Sequence, residues 1–137
     1  MAYWLLKSEP GEWSWDDQRR AGTAEWDGVR NAQAMNNMKA MRPGDRCFFY
    51  HSGEERRVVG VVEVTRAWYP DPADDSGKYG LVDIAAGPVL PRPVTLAEVK
   101  ANPKLSTMWL VRHTRLSVAP VAPAEWREVC RMGGLKP

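Results

Sequence analysis

The residues with the richest chemistry are consecutive: Trp26-Asp27-Gly28-Val29-Arg30-Asn31. They combine a bulky aromatic, a flexible turn, a fixed cation and an amide side chain. Such a set can stack a flat ring and hydrogen-bond its edge, so it reads as the floor of a base-binding pocket. Gly28 permits close approach to the backbone. Arg30 and Asn31 stand before a helical pattern, where the free amides of a helix start favour an anion or a carbonyl edge. Two further pairs, Lys7-Ser8 and His51-Ser52, fall where apolar strand-like runs end. Loops at strand ends concentrate binding residues. Taken alone, Trp26 reads equally as core and Ser8 as a strand-end turn; the neighbourhood of Trp26 favours the pocket.

The elements that must position these residues follow from pattern. Residues 3–7 form an apolar first strand that Pro10-Gly11 ends. Ser14 with Asp17 caps a short helix running to residue 20, and Ala21-Gly22 closes it. Residues 26–31 read as a loop, and 32–41 as a helix with Met35, Met38 and Met41 on one face, the spacing of a core stripe. Residues 46–51 and 57–68 are strands, with Gly60 marking a bulge or a close approach in the second. Residues 69–77 are loop by composition, and 79–85 and 89–92 are further strand material. Thr95 and Glu98 form a capping box for a helix to residue 101 that Asn102-Pro103 stops. Residues 105–110 fit no single pattern. A last strand over 115–121 and a helix over 123–132, started by Pro123 and followed by Gly133-Gly134, complete the chain. About six short strands with short helices predict one α+β domain over residues 1–137, a small mixed sheet closing toward a barrel.

Composition narrows the function. With 137 residues, 44% hydrophobic and 26% charged, the chain is long enough for one sizeable core. No apolar run is long enough to span a membrane. The first ten residues lack a basic segment and a small-residue cleavage site, which argues against a secretory signal. Cys47 and Cys130 stand apart without a CxxC partner and read as buried, reduced thiols of a cytoplasmic protein. Net charge is only +2, but thirteen of the nineteen cations are Arg, the better residue for bidentate phosphate contacts and stacking. Seven Trp exceed what a small core hides easily, which leaves one or two to line a pocket.

Ordinary catalysis finds little support. Only His51 and His113 exist, so a His-centred metal site is nearly excluded, and the Cys spacing adds nothing. Asp16-Asp17 and Asp74-Asp75 are adjacent pairs that do not face each other. There is no G-x-S-x-G, no P-loop and no G-x-G-x-x-G. No motif implies a cofactor.

Six motifs occur in the same order as in the EVE domain family, which the chain resembles over nearly its whole length. They are Tyr3-Trp4-Leu5-Leu6-Lys7-Ser8-Glu9-Pro10, Trp26 to Asn31, Phe49-Tyr50-His51-Ser52, Tyr69-Pro70-Asp71, Pro93-Val94-Thr95-Leu96 and Arg115-Leu116-Ser117-Val118. The resemblance implies a PUA-like fold, a small pseudo-barrel with peripheral helices, related to the YTH domains that read N6-methyladenine in RNA. It implies a non-catalytic nucleic-acid reader of a modified, flipped-out base. Modified DNA of the 5-methylcytosine type is favoured over RNA. Carried over residue by residue, Lys7 and Ser8 flank the base and Trp26 is an aromatic wall. Val29, Arg30, Asn31, His51 and Ser52 complete the pocket. Arg56, Arg57, Arg112 and Arg115 would grip the nucleic-acid backbone. Three positions depart from the family pattern. Ala32 stands where an aromatic usually follows the Arg-Asn pair, a change that would open the pocket or remove a stacking partner. Ala122 replaces a frequent Thr cap, and the loop after Asp71 is short. Two other classes stay open. One is an enzyme on a modified nucleobase, with Glu9, Asp27 or His51 as acid or base. The other is a sensor of a free nucleotide or small molecule. Oligomeric state is not legible in the sequence.

Overall fold

Trp4-Leu5-Leu6 and Cys47-Phe48-Phe49-Tyr50 show no polar alternation, so both faces of their strands must be covered. The computed structural model, which describes residues 1–137, has that arrangement. Strand β1 (Tyr3–Ser8) runs parallel to β3 (Arg46–His51) in the middle of a six-stranded mixed sheet. Trp4, Leu6, Cys47 and Phe49 enter one core, while Leu5, Phe48 and Tyr50 enter a second core on the opposite face.

The remaining strands are β2 (Thr23–Trp26), β4 (Arg57–Pro70), β5 (Gly80–Thr95) and β6 (Val118–Val121). The order across the sheet is β2-β5-β4-β3-β1-β6, antiparallel except for β1 and β3. Register shifts recur along β4 and β5, at Val58/Gly60, Gly60/Val62, Val64/Arg66 and Arg66/Tyr69. Bulges bend and twist strands, and here they coil the sheet so that its two edges, β2 and β6, approach each other.

Helix α1 (Trp15–Ala21) carries the expected Ser14/Asp17 capping box. Helix α2 (Ala32–Ala40) buries Met35 and Met38 in the first core, joined by Met41 just past its end. The Met stripe therefore packs the core. Helix α3 (Leu96–Ala101) starts at the Thr95/Glu98 capping box. A 3-10 turn over Pro103–Leu105 and helix α4 (Trp109–Arg112) occupy the stretch whose pattern was mixed. Helix α5 (Pro123–Gly133) packs on β5 and the second core, and ends at Gly134 in the left-handed conformation, φ 75°. Ala122 offers no side-chain cap, yet its N–H donates to Glu125 Oε1 at 3.0 Å, so half of the usual reciprocal cap survives.

Two sequence expectations are corrected. Trp26 ends a strand instead of opening a loop, because Thr23–Trp26 pairs with Val82–Ala85. Four residues with one apolar alternation are too short for pattern to reveal; the partner strand makes them a strand. Likewise the separate runs 79–85 and 89–92 are one long strand, β5. Its second half lies beyond the reach of β2 and pairs with β4 alone, an edge setting that tolerates Pro88, Pro91 and Pro93. Gly60 does meet its expectation. It lies at a bulge under the Trp15 ring, where a Cβ would come within 2.6 Å of the indole.

Candidate nucleic-acid interface

The gap between the two edges of the coiled sheet is a cleft of about 590 Å³. Its size falls in the range of small-ligand sites. Lys7 and Ser8, at the end of β1, and Ser117, just before β6, line one side. Ala24, Glu25 and Trp26 of β2 line the other, followed by Asp27, Gly28, Val29 and Arg30. The positive φ of Gly28, 76°, turns the chain from β2 toward α2 and keeps this segment against the cleft. Glu12 and Trp13, between β1 and α1, complete the lining.

Two tryptophans therefore face one cavity, each held by different neighbours. Trp26 is 7% exposed and packs edge-on against Phe49, with ring centroids 5.6 Å apart at 81°. Trp13 is half-buried, and its Nε1 donates to Gln18 Oε1 at 2.9 Å. The Gln18 side chain in turn donates to Gly22 O, which ties the Trp13 ring to helix α1. Backbone bonds from Glu12 and Trp13 N–H to Glu9 O shape the loop that carries Trp13.

The polar rim is mixed in sign. Lys7 is half-buried; its Nζ donates to Thr114 O at 2.8 Å, and burial lowers its pKa from the ordinary lysine value. Ser8 Oγ donates to Trp13 O at 2.6 Å, so its proton is engaged and its lone pairs remain to accept from a ligand. Arg30 lies at the lip, with its guanidinium 4.4 Å from the Tyr79 ring centre and one N–H on Val29 O. Three carboxylates, Glu12, Glu25 and Asp27, also face the cleft.

Of the sequence-derived base-binding residues, Lys7, Ser8, Trp26, Val29 and Arg30 come together here, whereas Asn31, His51 and Ser52 do not. Asn31 Oδ1 accepts from Ala34 N–H at 2.9 Å as the cap of α2, and the residue borders a separate shallow hollow with Trp109, His113 and Arg115. His51 is 8% exposed and bound at both nitrogens. Its Nε2 accepts from Trp15 N–H at 2.9 Å, and its Nδ1 meets Glu55 Oε1 at 2.9 Å. The acceptor role of Nε2 places the proton on Nδ1 and makes His51 a support for the start of α1. Ser52 opens onto a third hollow, on the other side of Lys7. Of the acid/base candidates Glu9, Asp27 and His51, only Asp27 lines the cleft.

The backbone-grip arginines are dispersed. Arg57 is paired with Glu55 at 3.0 Å and Arg112 Nε donates to Ser106 O at 3.0 Å. Arg56 and Arg115 are exposed and border different hollows. Sequence reasoning missed Trp13, Glu12, Glu25 and Ser117. The available signal was Trp13 itself, an aromatic in the polar turn before the Ser14 cap with no apolar partner at helical spacing. Ala32, exposed at the start of α2, is not among the cleft residues. No cluster of three or more His, Cys, Asp or Glu could hold a metal ion. No helix is long and apolar enough to cross a membrane.

The family model described as "EVE domain" matches residues 2–132. This chain belongs to the EVE domain family. A crystal structure of a protein from Agrobacterium tumefaciens is 54% identical and superposes with a TM-score of 0.94, covering 98% of this chain and 94% of that one. The human THYN1 protein, in a crystal structure with DNA containing 5-methylcytosine, is 29% identical with a TM-score of 0.90, and both chains are covered completely. Thymocyte nuclear protein 1 of Gallus gallus is 32% identical, with 98% of this chain and 70% of the relative aligned. The small α+β architecture of the EVE domain is thus shared along the whole chain.

Proposed function

We propose that this EVE domain is a non-catalytic reader of a modified DNA base, of the 5-methylcytosine class, flipped out of the duplex into the Trp13–Trp26 cleft. The observation that carries the reading is the convergence of two indoles and three carboxylates on one cavity, in a chain that aligns end to end with a protein crystallised on 5-methylcytosine DNA. A base inside a duplex reaches an enclosed site only by flipping, at a cost of a few kcal/mol. Stacking on an aromatic returns roughly 1–3 kcal/mol. Trp13, half-exposed, offers the freer face, while Trp26 walls the cavity from the core side. Carboxylates accept from an exocyclic amino group such as cytosine N4. Glu12, Glu25 and Asp27 therefore favour an amino-bearing base over thymine. They also keep phosphates at the rim, beside Lys7 and Arg30.

Only an apolar niche or an edge contact tells a modified base from a plain one. One methyl in a fitted niche contributes about 1 kcal/mol, roughly fivefold in affinity. The same chemistry accepts an extruded base from RNA, so the same titration is run with RNA oligonucleotides as a comparison arm. A cytoplasmic, reducing setting suits the two buried free thiols, Cys47 and Cys130.

The test is a titration of labelled oligonucleotides carrying cytosine, 5-methylcytosine, 5-hydroxymethylcytosine or N6-methyladenine, at two salt concentrations, with wild type and Trp13→Ala. A severalfold preference for one modified base, lost in Trp13→Ala, supports the reader. Equal binding to all four that Trp13→Ala leaves unchanged rejects it.

A further inference from the structure

Behind Lys7, on the side away from the base cleft, lies a second hollow of about 260 Å³. Three cations border it: Lys7 from β1, Arg56 from the β3–β4 turn and Lys100 from α3. No carboxylate is among its lining residues. Glu54 and Glu55 border a neighbouring hollow instead, and Glu55 is engaged by His51 and Arg57. Ser52 adds a hydroxyl, and Gly53, at φ 73°, curves the turn that presents it.

Tyr50 makes this more than a patch of surface charge. The residue is 3% exposed, its ring is rooted in the second core, and it lines the hollow. The phenolic hydroxyl makes no hydrogen bond within the protein and is not among the buried unpartnered atoms, so it opens onto the hollow. Burial raises its pKa above the ordinary tyrosine value, with Arg56 as the only opposing charge, so the hydroxyl keeps its proton and can donate it. A hydroxyl on a rigid, core-anchored ring that no protein group engages is free to donate to an oxyanion entering the hollow. Lys7 Nζ lies 5.8 Å from the Tyr50 ring centre and lines both hollow and cleft.

We propose that this hollow binds a phosphate of the nucleic-acid strand whose base occupies the cleft. The donors Tyr50, Ser52, Lys7, Arg56 and Lys100 match a tetrahedral oxyanion, which accepts several hydrogen bonds at once. Lys7 is shared between phosphate and base sites and sets the distance from one to the other. The inference rests on the base-reading function proposed above. It assigns the strand's grip to this group of residues, in place of the scattered arginines Arg57, Arg112 and Arg115.

The test reads the salt dependence of binding to duplexes with and without 5-methylcytosine. Arg56→Gln and Lys100→Gln are each expected to reduce the slope of log affinity against log salt by about one, equally on both duplexes. Tyr50→Phe removes only the hydroxyl and is expected to weaken both by a few fold. A methylphosphonate scan around the modified base is expected to find one linkage where neutralisation weakens wild type more than it weakens Arg56→Gln or Tyr50→Phe. Unchanged slopes in both cation variants, or a flat scan, overturn the proposal. Inorganic phosphate is the second arm, followed by the chemical shifts of Tyr50. Competition between phosphate and DNA supports a strand-phosphate site; simultaneous binding of both overturns it in favour of a free-anion site. Slopes are readable on unmodified DNA too. Failure of base discrimination in wild type therefore rejects the reader without deciding this site.

Discussion

The hydroxyl of Ser8 donates to the carbonyl oxygen of Trp13 at 2.6 Å, joining the end of β1 to the loop that carries an aromatic wall. This bond spans a turn of only a few residues, yet it decides where an indole stands. Ser8 thereby serves the cleft by holding Trp13. Ser8→Ala is expected to weaken modified-base binding several fold through a looser Trp13, in line with about 1 kcal/mol for one hydrogen bond. Fluorescence titration checks the affinity, and thermal melting should fall by no more than a few degrees, the loss of one hydrogen bond.

Trp13 and Trp26 should separate binding from folding. Trp13→Ala removes a half-exposed stacking face and is expected to cost roughly 1–3 kcal/mol of base affinity with a modest loss of stability. Trp26→Ala empties a site that is 7% exposed and packed on Phe49. It is expected to cost about 3–5 kcal/mol of stability as well as binding. Chemical denaturation beside the titration distinguishes the two.

His51 is expected to behave as a support. His51→Ala leaves the Trp15 N–H without its acceptor and frees Glu55 from one partner. A buried, unpaired donor costs about 1–3 kcal/mol. Amide exchange should show the first turn of α1 opening sooner. A pH profile of a nucleobase-processing reaction that depended on His51 as acid or base would contradict this placement.

Glu128 supplies the clearest pH dependence. Arg131, through hydrogen bonds of 2.7 and 2.9 Å, and then Asn102, at 2.6 Å, hold its pKa well below the ordinary 4.5, at about 2. A depressed folded-state value means that its contribution is complete above pH 4.5 and is lost as pH falls toward 2. Glu128→Gln is expected to melt earlier than wild type at pH 7, with the gap closing over that acid window. A gap that stays constant with pH would refute the assignment.

Gly60 gives a packing test independent of the cleft. Gly60→Ala places a Cβ within 2.6 Å of the Trp15 ring. Either strand β4 or the indole must move, at an expected cost of about 1–3 kcal/mol in denaturant titrations.

The amino-acid sequence alone determined the features that a few neighbouring residues settle. Uninterrupted apolar runs at Trp4-Leu5-Leu6 and Cys47-Phe48-Phe49-Tyr50 demand strands covered on both faces. Ser14 with Asp17 and Thr95 with Glu98 demand helix starts, because each cap is closed by atoms three residues apart. Lys7-Ser8 and Trp26-Asp27-Gly28-Val29-Arg30 were legible as cleft residues, since strand ends and turns present side chains outward. What the tertiary structure decided depends on partners distant in sequence. Thr23–Trp26 is a strand because β5 pairs with it, and the cleft exists because bulges in β4 and β5 bring β2 toward the β1–β6 edge. His51 carries a residue type suited to a site, but the Trp15 N–H and Glu55 occupy both of its nitrogens. Composition leaves one or two of the seven Trp for a pocket without saying which, and only the Ser8 and Gln18 bonds set Trp13 against the cleft. Residue type limits what a side chain can do; which groups stand within hydrogen-bonding reach of it is a property of the folded chain.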